Sequence, residues 1–278
     1  MQHRTVRREE DGLRRYLHLG TGNYHPSTAK LYTDLGLLTC DPDLTNDSAE
    51  LFNWLTGVSI FPDLKKIKAA PKALHDFVLK MIDREVENAK KGKPSGIFGK
   101  VNSLVDPEVI QALYRASQAG VQVKLLVRGV CCLRSKVPGT SDNIRVRSVV
   151  GRFLEHSRIY RFENAGRPEV YLASADWMAR NFFRRVETCF PIEEPELRTQ
   201  IDQMLDLYWR DNVKAREQGS ALTYERRPVD SEQVDAQALF LEQASKPRKP
   251  DVDAKPVVLK TSAKAMESRQ RDDIGQPA

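Results

Sequence analysis

The sequence predicts an α/β fold in which a mixed sheet is flanked by helices. Two observations carry that prediction. "SGIFGKVNSL", "DPEVIQALYRASQAG" and "VQVKLLVRG" follow one another as strand, helix and strand, a unit whose strands lie parallel and whose crossover is right-handed. Further on, "SRIYRFEN" and "EVYLASAD" flank an "NAGR" turn and read as an antiparallel hairpin. The 278 residues, 40% of them hydrophobic, suffice for one large domain or two small ones with a substantial core.

The chain opens on the charged stretch "MQHRTVRREEDGLRR", which runs into a short strand, "LRRYLHLG", and a tight "GTGN" turn. "PSTAKLYTDLGLLTCD" reads as a short helix with Pro26 near its start, then a loop. "LTNDSAELFNWLTG" reads as a helix capped by Asn46 or Asp47, with Leu51, Trp54 and Leu55 on its apolar face and Gly57 as its stop. After a linker, Leu74, Phe77, Val78, Met81, Ile82 and Val86 recur at the i, i+3, i+4 spacing of a long amphipathic helix. Lys90, Lys91 and Gly92 suit its C-terminus.

In the strand–helix–strand unit Asp106 caps the helix, Pro107 takes its first position and Gly120 ends it. The following "VQVKLLV" is an almost unbroken run of β-branched residues and leucine, as expected of a strand buried on both faces. "VETCFPI" is a further strand and "EPELRTQIDQMLDLYWRDNVKARE" a closing helix. Residues 219–278 lose periodicity and aromatic content. They read as a mostly disordered basic tail, without structure beyond about residue 245.

Several classes are excluded. Apolar runs fall far short of the roughly 20 residues that span a bilayer. With no apolar segment after Met1, the expected location is cytoplasmic, with any membrane association made through a complex. Cys40, Cys131, Cys132 and Cys189 lack C-x-x-C spacing and suit neither a zinc site nor a disulfide framework. The "GTG" turn lacks the dinucleotide fingerprint, and neither a P-loop nor a kinase catalytic loop is present.

Charge points to a polyanion. The net charge is +6. Between Val121 and Leu154 seven basic residues, five of them arginine, stand against one acid, Asp142. Arginine forks phosphate oxygens better than lysine does. Arg128 closes a core strand just before Gly129, where open α/β sheets gather ligands; an ion pair with a buried carboxylate is the other reading. His156 and Arg158 in "EHSRIY" share one side of a strand. Ser174 and Asp176, one hairpin away, are placed to approach it, and Asp176 is expected to orient His156. A neutral imidazole attacks phosphorus or serves as a general acid, while fixed cations hold the phosphoryl oxygens. A lone histidine is more often a core residue, so the pattern leaves both roles open. Lys100 and Asn102 lie near phosphate at a strand end or face solvent. Arg180 and Arg184 share a helix face, to line a phosphate path or to pair with Glu187 and Asp176.

"HLGTGNYHPSTAKLYTDLGLLTCDPDLTNDSAELFNWLTG", "KVNSLVDPEVIQALYRASQAGVQVKLLVRGVCCL", "SDNIRVRSVVGRFLEHSRIYRFEN" and "VYLASADWMARNFFRRVETCFPI" together resemble the C-terminal part of bacterial type-1 polyphosphate kinase, from about Val6 to Arg216. The resemblance implies a phospholipase-D-like fold. Residues 1–60 then end a first catalytic domain, 61–218 form the second, and 219–278 follow as the tail. It implies reversible transfer of the terminal phosphate of ATP to polyphosphate, with Mg2+, through a phosphohistidine in the first domain. His156 falls on the second-domain "EH-x-R" histidine, and Tyr32, Arg128 and His156 fall on nucleotide contacts. The family's phosphorylated histidine lies in an H-x-K motif before "VRRE". Here "VRRE" starts at Val6, and His3 has no lysine two places on, so His3 does not inherit that role.

The resemblance therefore implies a truncated phosphotransferase acting on ATP, ADP and inorganic polyphosphate. An upstream fragment or a second copy would complete it, and the usual magnesium ligands would lie outside the chain. The alternatives are a non-catalytic remnant that binds ATP or polyphosphate, and a phospholipase-D-like hydrolase, which would need two H-x-K motifs. Specific nucleic-acid binding is not expected, because no stacking array of aromatics is evident.

Overall fold

The strand–helix–strand unit sits at the middle of a nine-stranded mixed sheet. The computed structural model describes residues 2–10, 12–228 and 232–246. In chain order the elements are β1 (Gln2–Glu9), β2 (Gly12–Gly20), β3 (Tyr32–Thr33), β4 (Gly36–Thr39), α1 (Pro42–Leu55), β5 (Lys68–Ala69), α2 (Leu74–Lys90), β6 (Gly96–Val101), α3 (Pro107–Gln118) and β7 (Gln122–Val127). They continue with β8 (Ile144–Val149), β9 (Leu154–Glu155), β10 (Arg158–Phe162), β11 (Glu169–Ala173), α4 (Ala179–Phe183), β12 (Thr188–Pro191), α5 (Pro195–Arg210), β13 (Ala215–Gln218), β14 (Tyr224–Arg226) and α6 (Ala236–Ser245). Residues up to Phe240 pack as one unit; the second unit, from Leu241, contributes only the end of α6 to the described structure.

The large sheet runs β14-β13-β8-β7-β6-β10-β11-β12-β5. β6, β7 and β8 are parallel, and each remaining strand pairs antiparallel with its neighbour. Alternation along the strands feeds two cores. On β7, Val123, Leu125 and Val127 join α2 and α3 on one face, while Leu126 joins the cluster containing Leu205 and Tyr208 of α5 on the other. On β10, Tyr160 and Phe162 belong to the first core and Ile159 to the second. Both faces are covered, which explains the unbroken apolar character of β7.

The charged opening stretch forms β1, paired with β2 from Gln2↔Leu19 to Glu9↔Gly12. "PSTAKLYTD" is not a helix. Residues 26–31 form turns, Tyr32–Thr33 pair with β9, and Gly36–Thr39 pair with β2. These long-range pairings override a modest local helical preference. α1 starts at Pro42 and is capped by Asp41, whose Oδ1 accepts from Leu44 N–H at 2.8 Å. Asp47 is instead buried in the helix and accepts from the backbone N–H groups of Lys65, Lys66 and Ile67 at 3.0, 2.6 and 2.8 Å. It thereby ties α1 to the segment that leads into β5. Asp47→Ala would leave those three donors without an acceptor and should destabilise the protein by about 2–3 kcal/mol, read as a fall in the urea midpoint.

Past residue 219 the chain is ordered for a further stretch, as β14 and α6, and Ala236 and Gln237 are buried. Asp211 anchors this return by accepting from Ala236 N–H at 2.9 Å, and Phe240 packs on Tyr208 with ring centroids 5.0 Å apart. The disorder expected beyond about residue 245 lies, except for Lys246, outside the described residues. Among the described residues no helix is long and apolar enough to cross a membrane.

Candidate phosphate site

β10 runs antiparallel to β6, with Ile159 opposite Lys100. This pairing brings residues 156–158 to the carboxyl end of β6, beside Asn102 and the end of β7. His156 is held there on two sides. Its Nδ1 lies 2.9 and 3.0 Å from the two carboxylate oxygens of Asp34. A carboxylate only accepts, so Nδ1 carries a hydrogen, which in the neutral ring leaves the lone pair on Nε2. Arg158 Nη1 lies 3.0 Å from that Nε2 and 3.3 Å from Nδ1, against the ring. The Tyr32 ring packs on the imidazole at a centroid distance of 4.7 Å.

Asp176 does not orient His156, as the sequence suggests it would; it clamps Arg158. Nε and Nη2 of the guanidinium donate to Oδ1 and Oδ2 at 3.1 and 3.0 Å, and Nη1 donates to the Thr21 carbonyl at 3.3 Å. Asp176 also accepts from Asn102 N–H at 2.7 Å, Asn102 Nδ2 at 3.3 Å and Ser103 N–H at 3.3 Å. Burial pushes its carboxyl pKa up, but the Arg158 and Asn102 bonds outweigh burial and hold it below the ordinary value. The result is a rigid, buried guanidinium aimed at the imidazole.

Asn102 links the other predicted residues. Its Nδ2 donates to the His156 carbonyl at 3.1 Å, and its Oδ1 accepts from Arg128 Nε at 2.9 Å. Among the described residues Arg128 is thus held by an amide and forms no ion pair with a carboxylate. Lys100 is buried beneath the site. Its Nζ donates to Ser157 Oγ at 2.8 Å, lies 3.3 Å from Glu155 and sits 5.1 Å above the Tyr208 ring. Burial lowers its ammonium pKa despite the Glu155 charge. Lys100 supports the floor of the site and does not line the cavity above it.

That cavity, of about 390 Å3, is walled by Thr21 and Gly22 from the first part of the chain and by His156, Arg158, Arg185 and Glu187 from the second, among others. Glu187 accepts from Ser174 Oγ and, at 2.7 Å, from Asn181 Nδ2. Gly22 is required as glycine: a Cβ there would stand 1.9 Å from Asp34 Oδ2. Arg180 and Arg184 are exposed on and just after α4 and do not line the cavity. The cavity arginine next to them is Arg185. Sequence reasoning passed over Asp34 and Arg185, took Glu187 only as a partner for Arg180 and Arg184, and read Gly22 only as part of a tight turn. The "YTD" spacing held one usable signal, because residues two apart in extended chain share a side, which sets Asp34 beside Tyr32.

Comparison with known proteins gives the family. Residues 3–60 match the family model for polyphosphate kinase C-terminal domain 1, and residues 67–237 the model for polyphosphate kinase C-terminal domain 2. The polyphosphate kinase of Synechocystis sp. is 52% identical over 241 residues, 86% of this chain and 33% of the relative. That of Pseudomonas aeruginosa is 50% identical over 244 residues, 87% of this chain and 35% of the relative. The crystal structure of polyphosphate kinase from Porphyromonas gingivalis superposes with a TM-score of 0.79 at 39% identity, covering 84% of this chain and 36% of that one. The chain spans about a third of the length of the curated relatives it matches. One model holds Gly22 and Asp34 and the other His156 and Arg158, so the two walls of a single cavity come from the two matched domains, and the chain belongs to the polyphosphate kinase family.

Proposed function

We propose that this site handles the phosphoryl group exchanged between ATP and inorganic polyphosphate, with residues 1–60 and 61–218 as parts of two catalytic domains. One observation carries the reading: an imidazole whose Nδ1 is held by Asp34 presents Nε2 beside a fixed guanidinium, 3.0 Å away, at the wall of a cavity. Phosphoryl transfer asks a protein for positioning and fixed positive charge more than for covalent chemistry. Arg158 cannot swing away from Asp176, so it stabilises charge on the phosphoryl oxygens without reorganising. Asp34 keeps the Nδ1 proton in place and leaves Nε2 to take or return a proton at the reacting oxygen. Arg128, anchored through Nε, offers its two terminal nitrogens to the nucleotide phosphates, and Tyr32 backs the imidazole and contacts the nucleotide.

We place Mg2+ with the nucleotide, as its complex. Magnesium is usually held through substrate phosphates and one or two carboxylates. Among the described residues no group of three or more His, Cys, Asp and Glu is placed to hold a metal alone. Residues that complete the site come from a preceding segment of the family or from a second copy of the chain.

Calorimetric titration with inorganic polyphosphate tests the reading. Binding should be strongest at low ionic strength. Arg128→Ala should weaken it about tenfold, the worth of one charge-assisted hydrogen bond. No heat of binding at low salt would overturn the proposal.

A further inference from the structure

The β3–β9 pair seats Tyr32 against His156, yet it is two residues long on each side. An isolated two-stranded pairing is marginal in water. One edge of this segment is taken by the chain around β3: Leu154 N–H donates to the Leu31 carbonyl at 2.8 Å and His156 N–H to the Thr33 carbonyl at 3.2 Å. Residues alternate between edges, so the backbone groups of Phe153 point the other way.

The Gln237 side chain, from the start of α6, meets them there. Its Oε1 accepts from Phe153 N–H at 3.0 Å and its Nε2 donates to the Phe153 carbonyl at 2.9 Å. These are the two bonds that a neighbouring strand would make. Nε2 also donates to Glu155 Oε1 at 2.6 Å. The other oxygen of Glu155 accepts from Thr33 Oγ1 at 3.0 Å and lies 3.3 Å from Lys100 Nζ. Gln237 is buried, and Gly151 makes room for it: a Cβ at Gly151 would stand 2.5 Å from Gln237 Oε1. The chemistry proposed above does not use this amide.

We propose that Gln237 is a positioning residue for His156, its side-chain amide serving as the third partner of the β3–β9 pair. The inference rests on the phosphate-site reading of His156. With the amide in place the segment is held on both edges, and the residues on either side of Leu154 are fixed. The imidazole one residue beyond Glu155 then meets Asp34 and Arg158 at a set depth. Without it, the short pair holds His156 from one side only.

The test compares the parent chain with Gln237→Met, which keeps the volume and removes all three bonds, and with Gly151→Ala, which crowds the amide out. The His156 ring nitrogens, assigned by their loss in His156→Gln, are followed by nitrogen-15 NMR. The parent should show one tautomer, protonated at Nδ1; both variants should shift toward a tautomer average. Where the chain transfers phosphate, kcat should fall about 100-fold, the usual effect of a 1 Å misplacement, with KM little changed. Ring signals unchanged in folded Gln237→Met would overturn the proposal. If the parent neither binds nor transfers phosphate, the reading of the site fails, while the ring signals still decide the role of Gln237. If neither variant folds, hydrogen exchange in the parent decides. The Phe153 amide should exchange far more slowly than that of exposed Arg152, and equal rates would overturn the proposal.

Discussion

His156→Ala should lower phosphate exchange between labelled ATP and polyphosphate by about 10²–10⁴-fold, the range for loss of a positioned acid–base group. The chain is assayed alone and, if silent, together with the preceding family segment. The fold should survive, because the imidazole lies at a cavity wall, where Asp34, Arg158 and Tyr32 meet it. Asp34→Asn sharpens the test. An asparagine in that place presents either its oxygen or its N–H to Nδ1, and the N–H orientation favours the tautomer protonated at Nε2, the wrong one for accepting a proton there. Activity should fall nearly as far as in His156→Ala, with polyphosphate binding retained through Arg128 and Arg158. Unchanged activity in His156→Ala would remove the imidazole from the reaction.

The contrast between His156 and Asp34 shows how far the sequence was legible. The β6–α3–β7 unit was readable because each signal is local: Asp106 accepts from Val109 N–H at 3.1 Å as the cap, and Gly120 takes a φ of +92° at the end. The β10–β11 hairpin was readable for the same reason. His156 and Arg158 could be paired because a strand puts i and i+2 on one side. The orienting carboxylate could not be found that way. Asp34 and Asp176 are both plausible partners by type, and only the tertiary fold brings Asp34 across 122 positions of sequence to the ring. The same limit hid Gln237. Its surroundings read as the start of a tail because its partners, Phe153 and Glu155, lie more than 80 residues earlier. The helix expected near Pro26 failed in the converse sense: a local propensity was real, but the pairings of Tyr32–Thr33 and Gly36–Thr39 with distant strands prevailed.

Asp176→Ala should destabilise the protein by about 3–5 kcal/mol, the penalty for leaving a buried charge without its partner. Arg158 and Asp176 are 7% exposed each, and the carboxylate also serves the Asn102 and Ser103 amides, so little water is at hand to replace it. The pH dependence has a definite sign. The folded-state pKa of Asp176 is depressed, chiefly because the Arg158 and Asn102 bonds overcome burial. Its contribution is therefore fully present above the unfolded value of about 3.9 and is lost as pH falls through the lower folded value. Urea unfolding of the parent and of Asp176→Asn should accordingly differ most near neutrality, and the gap should narrow once pH drops below about 3.9. A gap that stays constant down to strong acid would mean that the pair contributes no linked stability. Replacing both partners, as Arg158→Met with Asp176→Leu, should recover the part of the loss that comes from the unpaired Arg158 charge, since a well-packed apolar pair often matches a buried ion pair, while the Asn102 and Ser103 amides stay without their acceptor. That double variant should remain inactive. Regained stability without activity would separate the two tasks of Arg158: holding β10 to the loop after β11, and holding positive charge at His156.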